Sequence, residues 1–408
     1  MSKNDIHAVF QIARRQCGFR LAPSIRRLKS CLIDAGTAVG RHTIPYRITG
    51  VILALGALYG CSTLEYYAQT AAGHIDLMTR ARPIEALLGR PDTPQSLRDR
   101  LSLVLELRRY ASEQLGLPDN GSYTRYAALD RPFVVWNVFA APELSVAPRQ
   151  WCFPVVGCVA YRGYFREEDA MRFAGGLRAG GLDAAVAGVP AYSTLGWFDD
   201  PLPSTVIAYP VERLAGLIFH ELSHQVVYIP NDATFNESFA TVVELEGARR
   251  WFAARGESEA AARQRRMKER DSRVARLVLD YRERLEAVYR ADAPEEWKRA
   301  RKRMLFAALR REYLALSAAD PALAGYEEWF DGEANNARLV PFATYYRHVA
   351  AFESLLSRCS GDLEAFYAAV RDIGAMAAED RHARLAALAA ASASAADPCA
   401  RPQPSRER

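Results

Sequence analysis

Hydrophobic positions change period along the chain, and the changes divide it into blocks. From Thr63 to about Leu117 they recur at helical spacing, at Ile84, Leu87 and Leu88 and again at Leu101, Leu105 and Leu107. The cluster "LPDNGSY" then marks a turn. Residues 123–209 read as mixed α and β. "PFVVWNVFA" is rich in Val and aromatics and predicts a strand, and "CFPVVGCVAYRGYF" predicts one or two short strands. "REEDAMRFAGGLRAGG" predicts a helix ended by glycines, and "AAVAGVPAYSTLGWF" predicts extended chain broken at Pro190. Residues 210–380 are almost entirely helical in pattern. Val274, Val278, Tyr281, Leu285 and Val288 form one apolar stripe, and Asp292 and Pro294 end that helix and start the next. No internal repeat is visible. The expected fold is α+β and predominantly helical, with a small mixed sheet ahead of the helix that contains His220.

The N-terminal block is different again. Arg41 and Arg47 precede the 13-residue apolar run "ITGVILALGALYG". A membrane-spanning helix needs roughly 17–25 residues, whereas the apolar core of a secretory signal takes about 7–15. Cys61 follows at once. Leu58, Gly60 and Cys61 resemble a bacterial lipobox, with Tyr59 larger than the residue usual at its place. This predicts a lipid anchor on Cys61, attachment to a membrane, and a place in the cell envelope facing the periplasm. The competing reading is a buried core segment with an ordinary cysteine. The run starts unusually late for a signal, so translation is expected to begin downstream of Met1. The expected organisation is residues 1–61 as extension and signal, residues 62–392 as one catalytic unit, and residues 393–408 as a disordered low-complexity tail.

Charge follows the same division. The formal net charge is +5, but residues 1–61 hold nine Lys or Arg against two Asp, leaving 44 basic and 46 acidic groups in the remainder. The body of the protein therefore offers no bulk attraction for nucleic acid. The many Arg and Lys of residues 255–318 are interleaved with Glu and Asp, as on a solvated helical face. Cys152 and Cys158 lie close enough in sequence to close a small disulfide loop in an oxidising compartment, or to remain two buried thiols.

The chemistry concentrates in "LIFHELSHQVVYIPNDATFNESFATVVE". His220-Glu221-Leu222-Ser223-His224 is an H-E-x-x-H. Residues four apart lie one above the other on a helix, so two imidazoles so placed can reach one Zn²⁺ at about 2.0–2.1 Å. Glu221, between them, is placed to act as general base on the attacking water. Leu214, Leu217, Ile218, Phe219 and Leu222 make this helix largely apolar, where an unpaired polar trio is costly. The plainer alternative is a helix whose histidines are only hydrogen-bonded.

Twelve residues separate His224 from Glu237. Pro230, Asn231 and Asp232 mark a loop, and the helical pattern resumes at about Phe235. Glu237 is the candidate third ligand, with Glu244 as the fallback. Thr234 and Glu237 also fit a capping box, which would occupy the same carboxylate. Tyr345, Tyr346 and His348 are candidate donors to an oxyanion. Ala191, Tyr192, Ser193 and Thr194, upstream of the motif helix, are expected to bind substrate as an added edge strand. Asp199 and Asp200 are expected to shape a turn before Pro201 rather than to hold a substrate amine.

Motif helix, connection and second helix with a Glu ligand together resemble the gluzincin layout, and "NESFA" resembles the "NEGFA" string of zinc aminopeptidases related to leukotriene hydrolase. Those relatives hold the substrate amine with a "GxMEN" string that is not found here. From Cys61 to about residue 375 the chain resembles a bacterial family of predicted aminopeptidases, through "GCSTLEYYAQTAAGHIDLM", "CFPVVGCVAYRGYF", "YSTLGWFDDPLPSTV", the long string above and "NNARL…TYYRHVAAF". The resemblance implies a zincin-like fold, one Zn²⁺ on His220, His224 and Glu237, the base on Glu221, a role for Tyr345, and a peptide substrate. A zinc hydrolase of another amide or cell-wall peptide, and a non-catalytic zinc-binding envelope lipoprotein, are the alternatives.

Overall fold

The computed structural model describes residues 64–153 and 157–390. The signal, Cys61 and the low-complexity tail lie outside these residues. The described residues from Glu65 onward group as one unit by their contacts.

The chain is helical over residues 64–80 (α1), then extended over Ala81–Pro83 (β1). A short helix at Ile84–Leu88 and the long helix α2 at Gln95–Leu115 follow. The predicted helical block is therefore interrupted. Residues 81–83 pair with β2 at Arg125–Ala127, which runs antiparallel to β1 and parallel to β8 at Leu202–Pro203. That pairing partner is distant in sequence, so local periodicity could not announce it. Gly116 ends α2 with a φ of 65°, a conformation that glycine adopts without strain.

The main sheet has β3 (Val135–Pro142) between β6 (Tyr161–Tyr164) and β7 (Leu182–Val189), antiparallel to both. These are the strands expected from "PFVVWNVFA" and its neighbours. The helix α3 (Glu167–Ala179) covers one face, packing Ala170, Ala174 and Leu177 against Trp136, Val138 and Ala140. Between β3 and β6, β4 (Trp151–Phe153) and β5 (Gly157–Val159) form a hairpin whose paired Cys152 and Cys158 are joined as a disulfide.

The rest is helical, as the sequence predicts. α4 (Val211–Ser223), α5 (Ala233–Ala254), α6 (Ser258–Arg290) and α7 (Glu295–Ala319) are followed by α8 (Val340–Tyr346), α9 (Val349–Arg358), α10 (Leu363–Gly374) and α11 (Ala378–Ala390). Pro294 caps α7 where the sequence marked the break. α5 is the centre of the core. Its Phe235, Phe239, Val242, Val243 and Phe252 are buried together with Leu214, Ile218, Phe219 and Leu222 of α4. Each such side chain contributes about 1.5–3 kcal/mol relative to exposure. Gly247 permits the close approach of the two helices, since a Cβ there would lie 2.7 Å from a Phe219 ring carbon. The apolar stripe of α6 packs Val274, Val278, Tyr281 and Leu285 against Leu309 and Tyr313 of α7 in a second core. No described helix is long and apolar enough to cross a membrane.

Candidate active site

α4 ends at Ser223, and His224 is its C-cap with helical backbone angles of φ −61° and ψ −19°. His220 and His224 therefore remain one turn apart on one face, with ring centroids 5.0 Å apart. Both are buried.

The chain then turns through residues 225–232 into α5. Asn231 has φ of 68° there. Asp232 caps α5 by accepting the N–H of Phe235 at 3.1 Å. The capping role foreseen for Thr234 and Glu237 is thus filled by Asp232, α5 starts at Ala233 rather than near Phe235, and Glu237 is left free to face the histidines. Asn236 clamps the loop reciprocally. Its Oδ1 accepts from Ile229 N–H and its Nδ2 donates to Ile229 C=O, both at 2.8 Å.

Glu237 Oε2 lies 3.2 Å from His220 Nε2 and 3.7 Å from His224 Nε2. The donor atoms of His220, His224 and Glu237 all fall within 4.8 Å of one another. On the far side of the His220 ring, Nδ1 lies 3.1 Å from Glu244 Oε2. This fixes Nε2 as the nitrogen offered to the cluster. Glu244 is thus behind the histidine rather than beside Glu237, and its fallback role as a ligand is not what the geometry supports. Its partnership with His220 was not foreseen, although its place two turns after Glu237 on the same helix was a usable signal.

The groups of this cluster shift one another's protonation. Burial alone would raise the Glu237 carboxyl, but His224 and His220 outweigh it and hold that carboxyl well below the usual range. Burial would lower the His220 imidazole, but its hydrogen bonds to Glu237 and Glu244 push it well above its ordinary value. Burial raises the Glu221 carboxyl, opposed by the two histidines and reinforced by Glu237 and Glu244. Two imidazole nitrogens and a carboxylate oxygen converging from two helices suit a divalent metal ion of borderline hardness.

The cluster opens into a cavity of about 800 Å³, whose lining includes Glu221, Tyr345, Tyr346 and the four residues Ala191–Thr194. Tyr345 stacks along His220 with centroids 6.2 Å apart and is 37 % exposed, toward this cavity. The charge of Glu237, then burial, push its phenol well above the ordinary value, so it stays protonated. Tyr346 packs against Phe342. His348 does not reach the cluster. It precedes α9, and its ring stacks on His382 at 5.6 Å.

Ala191, Tyr192, Ser193 and Thr194 do not form the expected edge strand. β7 stops at Val189, and residues 191–194 have no strand pairing. The chain at Thr194 and Leu195 is folded into a local turn. Thr194 N–H and its hydroxyl both bind the Asp200 carboxylate at 2.8 Å, and Leu195 N–H binds Ser193 Oγ at 3.1 Å. Asp200 shapes this turn, as expected. Tyr192 instead meets α1, its hydroxyl 2.5 Å from His74 Nδ1.

A buried cluster able to hold a metal ion, with the Glu221 carboxylate beside it, thus stands at the wall of this cavity. The chain belongs to the family described as "Putative aminopeptidase", whose model matches residues 65–385. That description indicates an aminopeptidase. Neither the curated proteins nor the solved structures give a match.

Proposed function

We propose that this protein is a zinc-dependent peptidase in which His220, His224 and Glu237 hold one Zn²⁺ and Glu221 is the general base. The observation that carries this reading is the convergence of the three donor atoms within 4.8 Å, with Glu221 on the same helix at the wall of the same cavity. When bound there, zinc supplies Lewis-acid polarisation of a carbonyl and lowers the pKa of water. The chain's residues do the rest. Glu244 orients His220 through Nδ1. Glu221 accepts the proton of the attacking water and returns it to the leaving amine. Its raised carboxyl pKa suits a group that must both take and give a proton. Tyr345, protonated and facing the cavity, donates to the developing oxyanion.

Ala191–Thr194 belong to this proposal as a wall of the substrate cavity, with the Thr194 N–H already held by Asp200. The lipid anchor on Cys61, and with it a place at the envelope membrane, rests on the string "LYGC". Intact mass of the exported protein tests it, and an unprocessed N-terminus overturns it. The enzymatic reading is tested by hydrolysis of a broad peptide mixture before chelation, after chelation and after zinc is restored. Loss and recovery of hydrolysis support it, and unchanged hydrolysis after verified metal removal contradicts it.

A further inference from the structure

An enzyme that cuts at amino termini must hold the substrate's ammonium group with a fixed anion. We propose that Glu244 is that anion, and that the preferred substrate is a peptide with a free α-amine on an apolar first residue. The inference rests on the metallopeptidase reading above and names its substrate.

Five carboxylates line the cavity among the described residues: Glu212, Glu221, Glu237, Glu244 and Asp271. Glu221 and Glu237 are assigned to the base and the metal cluster. Glu212 is nearly covered and ion-paired with Arg263 at 2.6 Å. Asp271 is ion-paired with Arg270 at 2.7 Å and accepts from Tyr326 Oη at 2.9 Å. Glu244 alone of the remainder has no Arg or Lys partner among the described residues. One oxygen receives His220 Nδ1, and the side chain is 33 % exposed on the cavity side.

The position is right as well as the charge. Glu244 stands one imidazole ring behind the nitrogen that His220 offers to the metal cluster. An α-amine stands one Cα away from the first carbonyl of a peptide. Glu244 lines the same cavity as the cluster, so a substrate whose first carbonyl lies at the cluster can turn its own amine toward this carboxylate, where an internal peptide bond would offer an amide instead. α4 makes room for this carboxylate at Gly216, where a Cβ would come within 3.0 Å of Glu244 Oε1. The residues next in sequence on the two helices, Leu217 and Leu245, also line the cavity, with Val349 and Met267. Among the charged and polar groups of that lining, such as Arg213, Gln264 and Lys268, they are an apolar surface open to the first side chain.

A charge-assisted hydrogen bond is strong enough to discriminate by a factor of about 10–100. The test uses the zinc-loaded full chain and Glu244→Gln, with metal content measured for both. Hydrolysis of a leucine-initiated peptide is compared with that of its N-acetylated form, and calorimetry compares binding of leucine hydroxamate with that of N-acetyl-leucine hydroxamate. The wild type is expected to prefer the free amine in both assays by about 10–100-fold, with the preference abolished in Glu244→Gln at equal metal content. A parallel fall on free and acetylated substrates in the variant would mean that Glu244 only orients His220, and would overturn the proposal. If the wild type hydrolyses neither peptide, the peptidase reading fails. The hydroxamate pair then still decides the amine site, equal affinity counting against it.

Discussion

Ser238 Oγ donates to the carbonyl of Tyr345 at 3.3 Å and accepts the N–H of His348 at 3.2 Å. The residue after the third candidate ligand thus holds the junction of α8 and α9, which presents Tyr345 to the cavity. Tyr345→Phe is expected to lower kcat about 100-fold with zinc content unchanged. Ser238→Ala is expected to lower kcat about tenfold, through misplacement of Tyr345 rather than loss of a reacting group. Steady-state kinetics on both variants check this. An unaltered kcat in Tyr345→Phe would remove Tyr345 from the mechanism.

Much of this site was legible in the sequence because it is local. An i, i+4 pair of histidines on an apolar helix and a glutamate on the next helix need no long-range information. "NESFA" is explained residue by residue: Asn236 clamps the loop, Glu237 faces the histidines, Ser238 holds Tyr345, and Phe239 and Ala240 are core. Where the structure departs from the sequence patterns, or decides between the alternatives they leave, competing partners for the same groups are the reason. Asp232 outcompeted Thr234 as the cap, and Asp200 drew the Thr194 amide into a turn where a strand was expected. Pairing with β2 broke the first helical block, and His348 turned toward His382 because α9 begins after it.

The loop between the candidate ligands is tied to the C-terminal helix. Arg381 Nε meets Asp232 Oδ2 at 2.8 Å with both side chains buried, and Arg381 also donates to the carbonyls of Gly374 and Met376. Removing Arg381 leaves the buried Asp232 carboxylate with only the half-exposed His382, 2.9 Å away, as a basic partner. Arg381→Ala is expected to cost about 3–5 kcal/mol of stability, against less than about 1 kcal/mol for Arg310→Ala, whose pair with Asp331 is half exposed. Denaturant unfolding of the two variants makes the comparison. Equal small effects would refute the structural role of Arg381.

Asp200 gives stability a pH dependence. Burial, offset in part by its bonds from Thr194 and reinforced by the charge of Glu221, pushes its carboxyl up to about 6. An unfolded Asp titrates near 3.9. Between about pH 4 and 6 the folded state therefore binds more protons than the unfolded state, so this group's contribution falls as pH rises through that window. The total is about 2–3 kcal/mol. Asp200→Asn should flatten the decline, as read from unfolding curves at pH 4 and pH 7. An unchanged slope in the variant would contradict this assignment.

The disulfide hairpin forms part of the cavity. Phe153 and Val159 line it, and Cys158 N–H donates to Asn231 Oδ1 at 2.7 Å, in the loop between the candidate ligands. Closing so short a loop contributes about 2 kcal/mol. The double variant Cys152→Ala, Cys158→Ala should lose about that much stability and show a KM several-fold higher, with zinc retained. Unchanged KM and stability would show that the hairpin holds its place without the covalent link.

The central claim is that Glu221 moves the proton while His220, His224 and Glu237 hold the metal. Its most direct test is Glu221→Gln, with zinc stoichiometry and peptide hydrolysis measured on the same preparation. The account predicts one zinc per chain in wild type and variant, with kcat in the variant lower by at least about 100-fold. A variant that keeps both its zinc and its hydrolytic rate would contradict it.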